Sequence, residues 1–196
     1  QQLVAYFDAL PPVTNSGKAR YAIALATVNR PEAFDVAREA WRGGDMSGPA
    51  EAYMMGIFAS RFTPDDHDAR MDALLWQRDG EASARQIAYV TPMRRDAYAA
   101  RLATLQGQSP MSAGYGRGGD LRADPGYVYN MSRYHRLNGR NSSAVDILVN
   151  RPNSPQSVIY GARVLDLRGT DDLVGVRAAN EAIGGGFLAR INMNLR

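Results

Sequence analysis

The sequence predicts an all-α protein, an irregular α-solenoid or superhelix of paired short helices, from three observations. Apolar residues recur three and four positions apart along most of the chain up to about residue 150, the spacing of one helix face. Prolines, glycines and asparagines separate these stretches, where they end one helix and precede the next. Helices of about 9 to 14 residues are barely stable alone in water, so we expect neighbours to pack as antiparallel hairpins.

Apolar spacing predicts four helices before residue 60. The residues that mark them are Leu3, Tyr6, Phe7 and Leu10; Ala22, Leu25 and Ala26; Phe34, Ala37 and Trp41; and Met54, Ile57 and Phe58. Pro11-Pro12, Asn29-Arg30-Pro31 and Gly43-Gly44 follow the first three. Proline cannot continue a helix and glycine favours turns, so these segments are predicted helix ends.

Three later helices are predicted to begin at Thr63-Pro64, Thr91-Pro92 and Asp124-Pro125. A Thr or Asp side chain can accept a hydrogen bond from a free N–H group of the first turn, and proline suits the first helical position. Asp65 and Asp66 add negative charge at the positive end of the helix dipole. The apolar faces of these helices are His67, Met71, Leu74 and Leu75; Tyr98, Leu102 and Leu105; and Tyr127, Met131 and Tyr134.

Two partner helices complete the predicted domain, which covers residues 1–152. One follows a break at Asp79-Gly80 and the other follows Asn138-Gly139. Their apolar residues are Ala84, Ile87 and Ala88, and Ala144, Ile147 and Leu148. Residues 106–123 are rich in Gly, Ser and Gln and are predicted to form a loop. No fold is predicted for residues 153–196, although alternating apolar residues at 187–196 leave a strand open there.

Composition excludes several classes of function. The chain has 196 residues, no cysteine and a net charge of +3, so disulfides, thiolate nucleophiles and Cys-based zinc sites are ruled out. Lys18 is the only lysine, and the arginines are mixed with acids rather than clustered as in nucleic-acid-binding proteins. No stretch approaches the roughly 20 apolar residues of a membrane span. A signal peptide is not visible, and Gln1 is expected to be a mature or trimmed start.

Two familiar motifs have structural interpretations. Gly114, Gly116 and Gly119 match the G-x-G-x-x-G dinucleotide fingerprint. That motif needs a strand before it and a helix after it, but Ser109-Pro110 precedes it, so a flexible loop is favoured.

Aspartates at positions 65, 66 and 68, and at 171 and 172, are interpreted as helix starts rather than as buried acids with a raised pKa.

The only histidines, His67 and His135, lie 68 positions apart on separate predicted helices. A metal site would need further ligands close to either of them. We therefore interpret both as residues at the edge of the core, and predict no metal and no cofactor.

One aromatic and basic cluster is the candidate binding site. Its members are Tyr127, Tyr129, Arg133, Tyr134 and Arg136. Tyrosine rings can stack on a saccharide, and arginines can donate hydrogen bonds to its hydroxyl groups. In the alternative and favoured interpretation, the tyrosines pack between hairpins and the arginines are solvated.

Residues 61–76, RFTPDDHDARMDALLW, resemble the helical domain of soluble lytic murein transglycosylases, which often carry a TPEDH…AR…LLW segment. Residues 20–26 and 124–140 are similar in kind, so the likeness covers roughly residues 19–150. The resemblance implies a periplasmic protein of a Gram-negative envelope, whose superhelical domain supports a separate lysozyme-like domain. That domain cleaves the MurNAc–GlcNAc linkage to a 1,6-anhydro sugar, with one Glu, usually followed by Ser, as acid and then base.

The chain departs from that pattern at the catalytic residue. Its five glutamates are each followed by alanine, so no Glu-Ser pair exists and we predict no catalytic residue. These glutamates are Glu32, Glu39, Glu51, Glu81 and Glu181. The chain is thus expected to be a non-catalytic part of a transglycosylase, or a relative without its enzyme domain.

Three functions are compatible with these observations. The leading hypothesis is a superhelical domain that associates with peptidoglycan glycan strands in the periplasm. The second is a helical-repeat adaptor or accessory subunit that docks onto an envelope protein complex, because a solenoid face also suits protein partners. The third, a complete enzyme, requires two buried acids that face each other across a cleft.

Overall fold

A computed structural model describes residues 2–115 and 121–150, and all regular structure within these ranges is helical. This confirms the all-α prediction for the described part of the chain. Its α-helices are α1 Gln2–Ala9, α2 Asn15–Thr27, α3 Ala33–Arg42, α4 Gly48–Phe58, α5 Pro64–Gln77, α6 Gly80–Gln86, α7 Pro92–Leu105, α8 Pro125–Leu137 and α9 Asn141–Val149. Short 3-10 helices cover Ala59–Arg61 and Leu121–Ala123.

The described residues form two compact units. The first ends at Tyr98 and the second begins at Ala99, within α7.

Several predictions concern residues outside the described ranges. These are the segment 153–196, the alternating residues 187–196, the aspartates at 171 and 172, and Glu181.

Helix starts follow the capping residues that the sequence predicts. Thr63 accepts a hydrogen bond from the Asp66 N–H, and the Asp66 carboxylate accepts one from the Thr63 N–H, which makes a capping box. Asp124 accepts hydrogen bonds from the N–H groups of Gly126 and Tyr127. At the other end of α8, Asn138 is the C-cap and Gly139 follows with a φ of +70°, a conformation that glycine adopts without strain.

One hydrophobic cluster of the first unit is made by α2, α3, α4 and the segments on either side of α4, together with Val4 of α1. Trp41 of α3 stacks on Phe62, with ring centroids 4.8 Å apart. Alanines line the contact between α2 and α3, among them Ala19, Ala22 and Ala37, which are fully buried. Small side chains let two helix backbones approach closely, so this hairpin packs tightly without many large residues.

Two predicted apolar faces are not the buried ones. Val4 is the buried residue of α1, whereas Leu3, Tyr6 and Leu10 are largely exposed. In α6 the buried residues are Ala82, Ser83 and Gln86, while Ala84 is exposed and residues 87–88 lie beyond the helix. Both helices are shorter than nine residues, so their spacing samples too few turns to identify the face that packs.

The break after α5 also differs in detail from the prediction. Arg78, with a φ of 65°, is the left-handed residue that ends α5. Asp79 caps α6 by accepting a hydrogen bond from the Ala82 N–H, and Gly80 is the first residue of that helix. The Asp-Gly pair therefore begins a helix here rather than ending one.

In the second unit, α8 packs on α9, and the Ser132 hydroxyl donates to the Ala144 carbonyl at 3.1 Å. Gly126 lies against the fully buried Arg101 side chain, since a Cβ on this glycine would come within 2.2 Å of the guanidinium carbon. Arg101 Nε donates to Asn130 Oδ1 at 3.0 Å.

The predicted loop at 106–123 consists of turns in its described part, apart from the 3-10 helix at its end.

Candidate functional site

The predicted binding residues all lie on α8, but on two faces of it. Tyr129, Arg133 and Arg136 are spaced i, i+4, i+7 and share one face. Tyr127 and Tyr134 are seven positions apart and lie together on another face. A single ligand-binding surface would therefore use either face, but not all five side chains at once.

Burial further separates these five residues. Tyr129 and Tyr134 are buried, whereas Tyr127, Arg133 and Arg136 are half-buried. The Nε atom of Arg133 is buried and has no hydrogen-bond partner among the described residues. Of these five residues, only Tyr127 keeps a partly exposed tyrosine ring, and saccharide stacking requires an exposed ring.

The glycine motif is described only in part. Gly114 lies in a turn, and the glycines at 116 and 119 lie outside the described residues.

Two of the three aspartates that we interpret as a helix start, Asp66 and Asp68, are buried, whereas Asp65 is exposed. Asp66 is fully buried, and its Oδ1 accepts hydrogen bonds from Arg38 Nε at 2.7 Å and Arg42 Nη1 at 2.8 Å. Its Oδ2 accepts from the Thr63 N–H and hydroxyl at 3.0 and 2.9 Å. The carboxylate therefore joins α3 to α5 as well as capping its own helix.

The environment of Asp66 keeps it ionised. Burial would raise the pKa of this carboxyl group, but the hydrogen bonds from Arg38, Thr63 and Arg42 outweigh burial and hold the pKa well below its ordinary value. A general acid must keep a proton near neutral pH. Asp66 is thus a structural anion, and the predicted absence of a raised pKa is correct for this residue.

Asp68 connects α5 to the start of α7. Its two carboxylate oxygens accept hydrogen bonds from the Thr91 N–H at 2.9 Å and the Thr91 hydroxyl at 2.7 Å. The Tyr98 hydroxyl donates to the Asp68 carbonyl at 3.1 Å, and burial raises the pKa of Tyr98 to about 12. Thr91 thus uses its hydroxyl proton to hold α5, a tertiary role that the Thr-Pro pattern does not reveal.

Arg70 is the most deeply buried cation of this segment. It is fully buried, and its Nη1 donates to the Gly44 carbonyl at 2.8 Å. Its Nη2 lies 3.2 Å from Glu51 Oε2 of α4, and its guanidinium covers the face of Trp41. One side chain thereby connects α5 to α3, to the α3–α4 turn and to α4.

His67 is part of an aromatic cluster rather than a metal site. It stacks on Tyr89 with ring centroids 5.2 Å apart, and it meets Trp41 and Phe62 edge-on. Its Nδ1 accepts a hydrogen bond from the Gln86 amide at 3.2 Å, and burial lowers its pKa. Within residues 2–115 and 121–150, no group of three or more potential ligands is placed to hold a metal ion.

The glutamates of the described residues are paired or exposed. Glu32 is ion-paired with Arg30, and Glu39 lies 2.6 Å from Lys18. Glu51 is shared by Arg70 and Arg85, and Glu81 is exposed. The hydrogen bond from Arg30 is the main reason that the pKa of Glu32 is lowered.

A groove that the sequence analysis missed lies between α1, α2 and α4, in the first unit. Its volume is about 520 Å³, within the range of ligand pockets. The α2 side is formed by Arg20, Ile23, Ala24 and Thr27. Their i, i+3, i+4, i+7 spacing places them on one helix face, and this was the pattern in the sequence that could have indicated the groove. Leu3 of α1 and Tyr53 of α4 line the groove and are 48% and 63% exposed.

Comparison with known proteins identifies no relative. No family model, no curated protein and no solved structure matches the chain. Among the described residues, no helix is both long enough and apolar enough to cross a membrane.

Proposed function

We propose that the chain is a non-catalytic superhelical domain of a lytic transglycosylase-like periplasmic protein, an irregular α-solenoid that supports murein binding and cell-wall turnover. The observation that carries this proposal is how residues 61–76 are used. The segment that resembles the family places its polar side chains between helices: Asp66 contacts α3, Asp68 contacts the start of α7, and Arg70 contacts α4. Because these residues hold helices together, the resemblance concerns the helical scaffold.

The acids of the described residues support the non-catalytic part of the proposal. Glycoside cleavage by acid–base chemistry needs a carboxylic acid that remains protonated near neutral pH. Asp66 has a lowered pKa, because hydrogen bonds from Arg38, Thr63 and Arg42 favour its ionised form. Glu51 is engaged in ion pairs with Arg70 and Arg85.

Murein contact is assigned to α8. The proposed contact uses the face that carries Tyr127, the partly exposed ring of the predicted cluster, whereas Arg133 and Arg136 lie on the other face of the helix. Because Tyr127 and the two arginines lie on different faces of α8, replacing Tyr127 tests ring stacking separately from hydrogen bonding by the arginines.

The test is co-sedimentation of the purified chain with murein sacculi, followed by mass spectrometry of the soluble fraction. The chain should sediment with the sacculi and release no anhydro-muropeptides. Tyr127→Ala should lower the association constant for sacculi about fivefold, because one stacking contact contributes about 1 kcal/mol. Tyr115→Ala is the matched control, because Tyr115 is 40% exposed and lies outside the cluster. A chain that stays in the supernatant refutes murein binding, and released anhydro-muropeptides refute the non-catalytic assignment.

A second candidate function is an adaptor that docks onto an envelope protein complex. The exposed apolar residues Leu3 and Tyr6 of α1, together with Leu10 just after the helix, favour this alternative, because exposed apolar patches mark protein interaction sites. Affinity purification from the native cells distinguishes the two functions. A stoichiometric protein partner supports the adaptor, and co-purified glycan supports the murein-binding domain.

A further inference from the structure

The groove between α1, α2 and α4 has the charge pattern of a site for an anionic, partly apolar ligand. Arg20 lines it and is exposed, with no hydrogen bond or ion pair to another described residue. Aliphatic side chains such as Leu3 and Ile23 line it as well, and no acidic residue does. An unopposed guanidinium beside an apolar surface favours a ligand that carries a carboxylate next to apolar groups, since arginine binds a carboxylate with two parallel hydrogen bonds.

The length of the groove limits how much of a chain it can hold. Arg20 and Thr27 are seven positions apart on one face of α2, which corresponds to about 10 Å along the helix axis. An extended polypeptide advances about 3.3 Å per residue, so about three residues match this length.

Hydroxyl groups along the groove favour a peptide over a lipid tail. Ser47 precedes α4, but its side chain makes no capping hydrogen bond. The Thr27 hydroxyl donates to the Ala24 carbonyl at 2.7 Å, and its oxygen still has lone pairs to accept a bond. The N–H groups of an extended peptide need such acceptors, whereas an alkyl chain gains nothing from them.

We propose that this groove binds the last three residues of a partner polypeptide, with the terminal carboxylate on Arg20 and an apolar side chain against Ile23, Leu3 and the ring of Tyr53. The proposal is independent of murein binding through α8, because the groove lies in the first unit and is built from other residues.

The experiment titrates the ¹⁵N-labelled chain of 196 residues with a pool of acetylated tripeptides that end in Leu, Ile, Val or Phe. Two further probes are the same pool with amidated C-termini and sodium octanoate. We expect the free-acid pool to shift the amide signals of Ile23, Ala24 and Tyr53. The amidated pool should bind at least about tenfold more weakly, because a charge-assisted hydrogen bond contributes about 1.5 to 3 kcal/mol.

Variants assign the carboxylate contact to Arg20. Arg20→Gln should weaken binding of the free-acid pool about tenfold and abolish the preference over the amidated pool. Arg140→Gln is the matched control, because Arg140 is also exposed but does not line the groove. Both arginines are on the surface, so the melting temperatures of the two variants should match that of the wild-type chain.

Three outcomes overturn the proposal. No shift of the groove amides at millimolar free-acid peptide shows that the groove does not take this ligand. Equal binding of the two peptide pools shows that the terminal carboxylate is not recognised. Octanoate that binds as tightly as the peptides, with the same loss in Arg20→Gln, shows a fatty-acid site instead.

Discussion

The Arg70 guanidinium lies over the Trp41 indole, with Cζ 4.0 Å from the ring centroid, and both side chains are buried. Burial of a cation is costly unless other groups compensate for the lost water. Here the Gly44 carbonyl, Glu51 and the indole face provide that compensation. Burial lowers the pKa of Arg70, but an arginine remains charged at any pH at which the protein is folded.

Replacing Arg70 with lysine should lower the free energy of unfolding by about 2 to 4 kcal/mol, because one ammonium group cannot reproduce the planar contacts of the guanidinium. Urea denaturation followed by circular dichroism measures the loss. Arg85→Lys is the matched control: Arg85 also lies 3.2 Å from Glu51 Oε2, but its side chain is 56% exposed. Its loss should stay below about 1 kcal/mol. Equal losses would show that burial of Arg70 does not govern its contribution.

Asp66→Asn should destabilise the protein by about 2 kcal/mol at pH 7, since it removes a buried anion that four donors share. The pKa of Asp66 is lower in the folded protein than in the unfolded chain. Its stabilisation is therefore complete above about pH 4 and is lost as the pH falls through the folded pKa. Thermal melts from neutral to acidic pH should show the difference between variant and wild type shrinking below about pH 4.

The matched control for Asp66 is Asp65→Asn. Asp65 also accepts a hydrogen bond from Arg42, at 2.9 Å, but its side chain is 76% exposed. An exposed pair of this kind contributes between about 0 and 1 kcal/mol. If the Asp65 variant loses as much stability as the Asp66 variant, the capping network is not the source of the effect.

Asp68→Ala should loosen the start of α7 without unfolding α5. The Thr91 N–H loses its acceptor, so its hydrogen exchange should become faster, whereas amides in the middle of α5 should keep their rates. Thr91→Val separates the two contacts, because it removes only the hydroxyl donor. We expect it to leave the amide bond to Asp68 in place and to accelerate exchange less. An unchanged Thr91 rate in Asp68→Ala is the opposing result.

Two helical glycines should respond to alanine in opposite ways. Gly126→Ala should destabilise the second unit by about 2 kcal/mol, because its Cβ would overlap the buried Arg101 guanidinium. Gly56 is exposed in α4, and a Cβ there meets nothing within 4 Å. Gly56→Ala should therefore stabilise the chain by about 0.5 to 1 kcal/mol through helix propensity. Thermal melts of both variants provide the comparison.

Local signals in the sequence predicted where helices begin, and tertiary contacts explain what it missed. Thr63 and Asp124 cap their helices through groups two or three residues away, so a short window of sequence contains the whole interaction. Asp68 and Arg70 depend on partners at least 19 positions away, namely Thr91, Gly44 and Glu51. Charged residues are usually exposed, and nothing in the neighbouring sequence indicates that these two are buried.

The candidate sites illustrate the same limit. The α8 cluster was visible in sequence because its five members are neighbours in the chain, although the helix then divides them between two faces. The groove beside Arg20 was not predicted, because it forms only when Leu3, Ile23 and Tyr53 come together from three helices.

The contacts of α5 have a consequence for how the first unit can be divided. Side chains of this one helix hold α3, α4, Gln86 and Thr91. Removing any of these partners leaves a charged or polar group of α5 buried without compensation. Shortened fragments that end between α5 and Thr91 should therefore aggregate rather than fold, and the smallest independently expressed piece that contains α5 should extend at least to Tyr98.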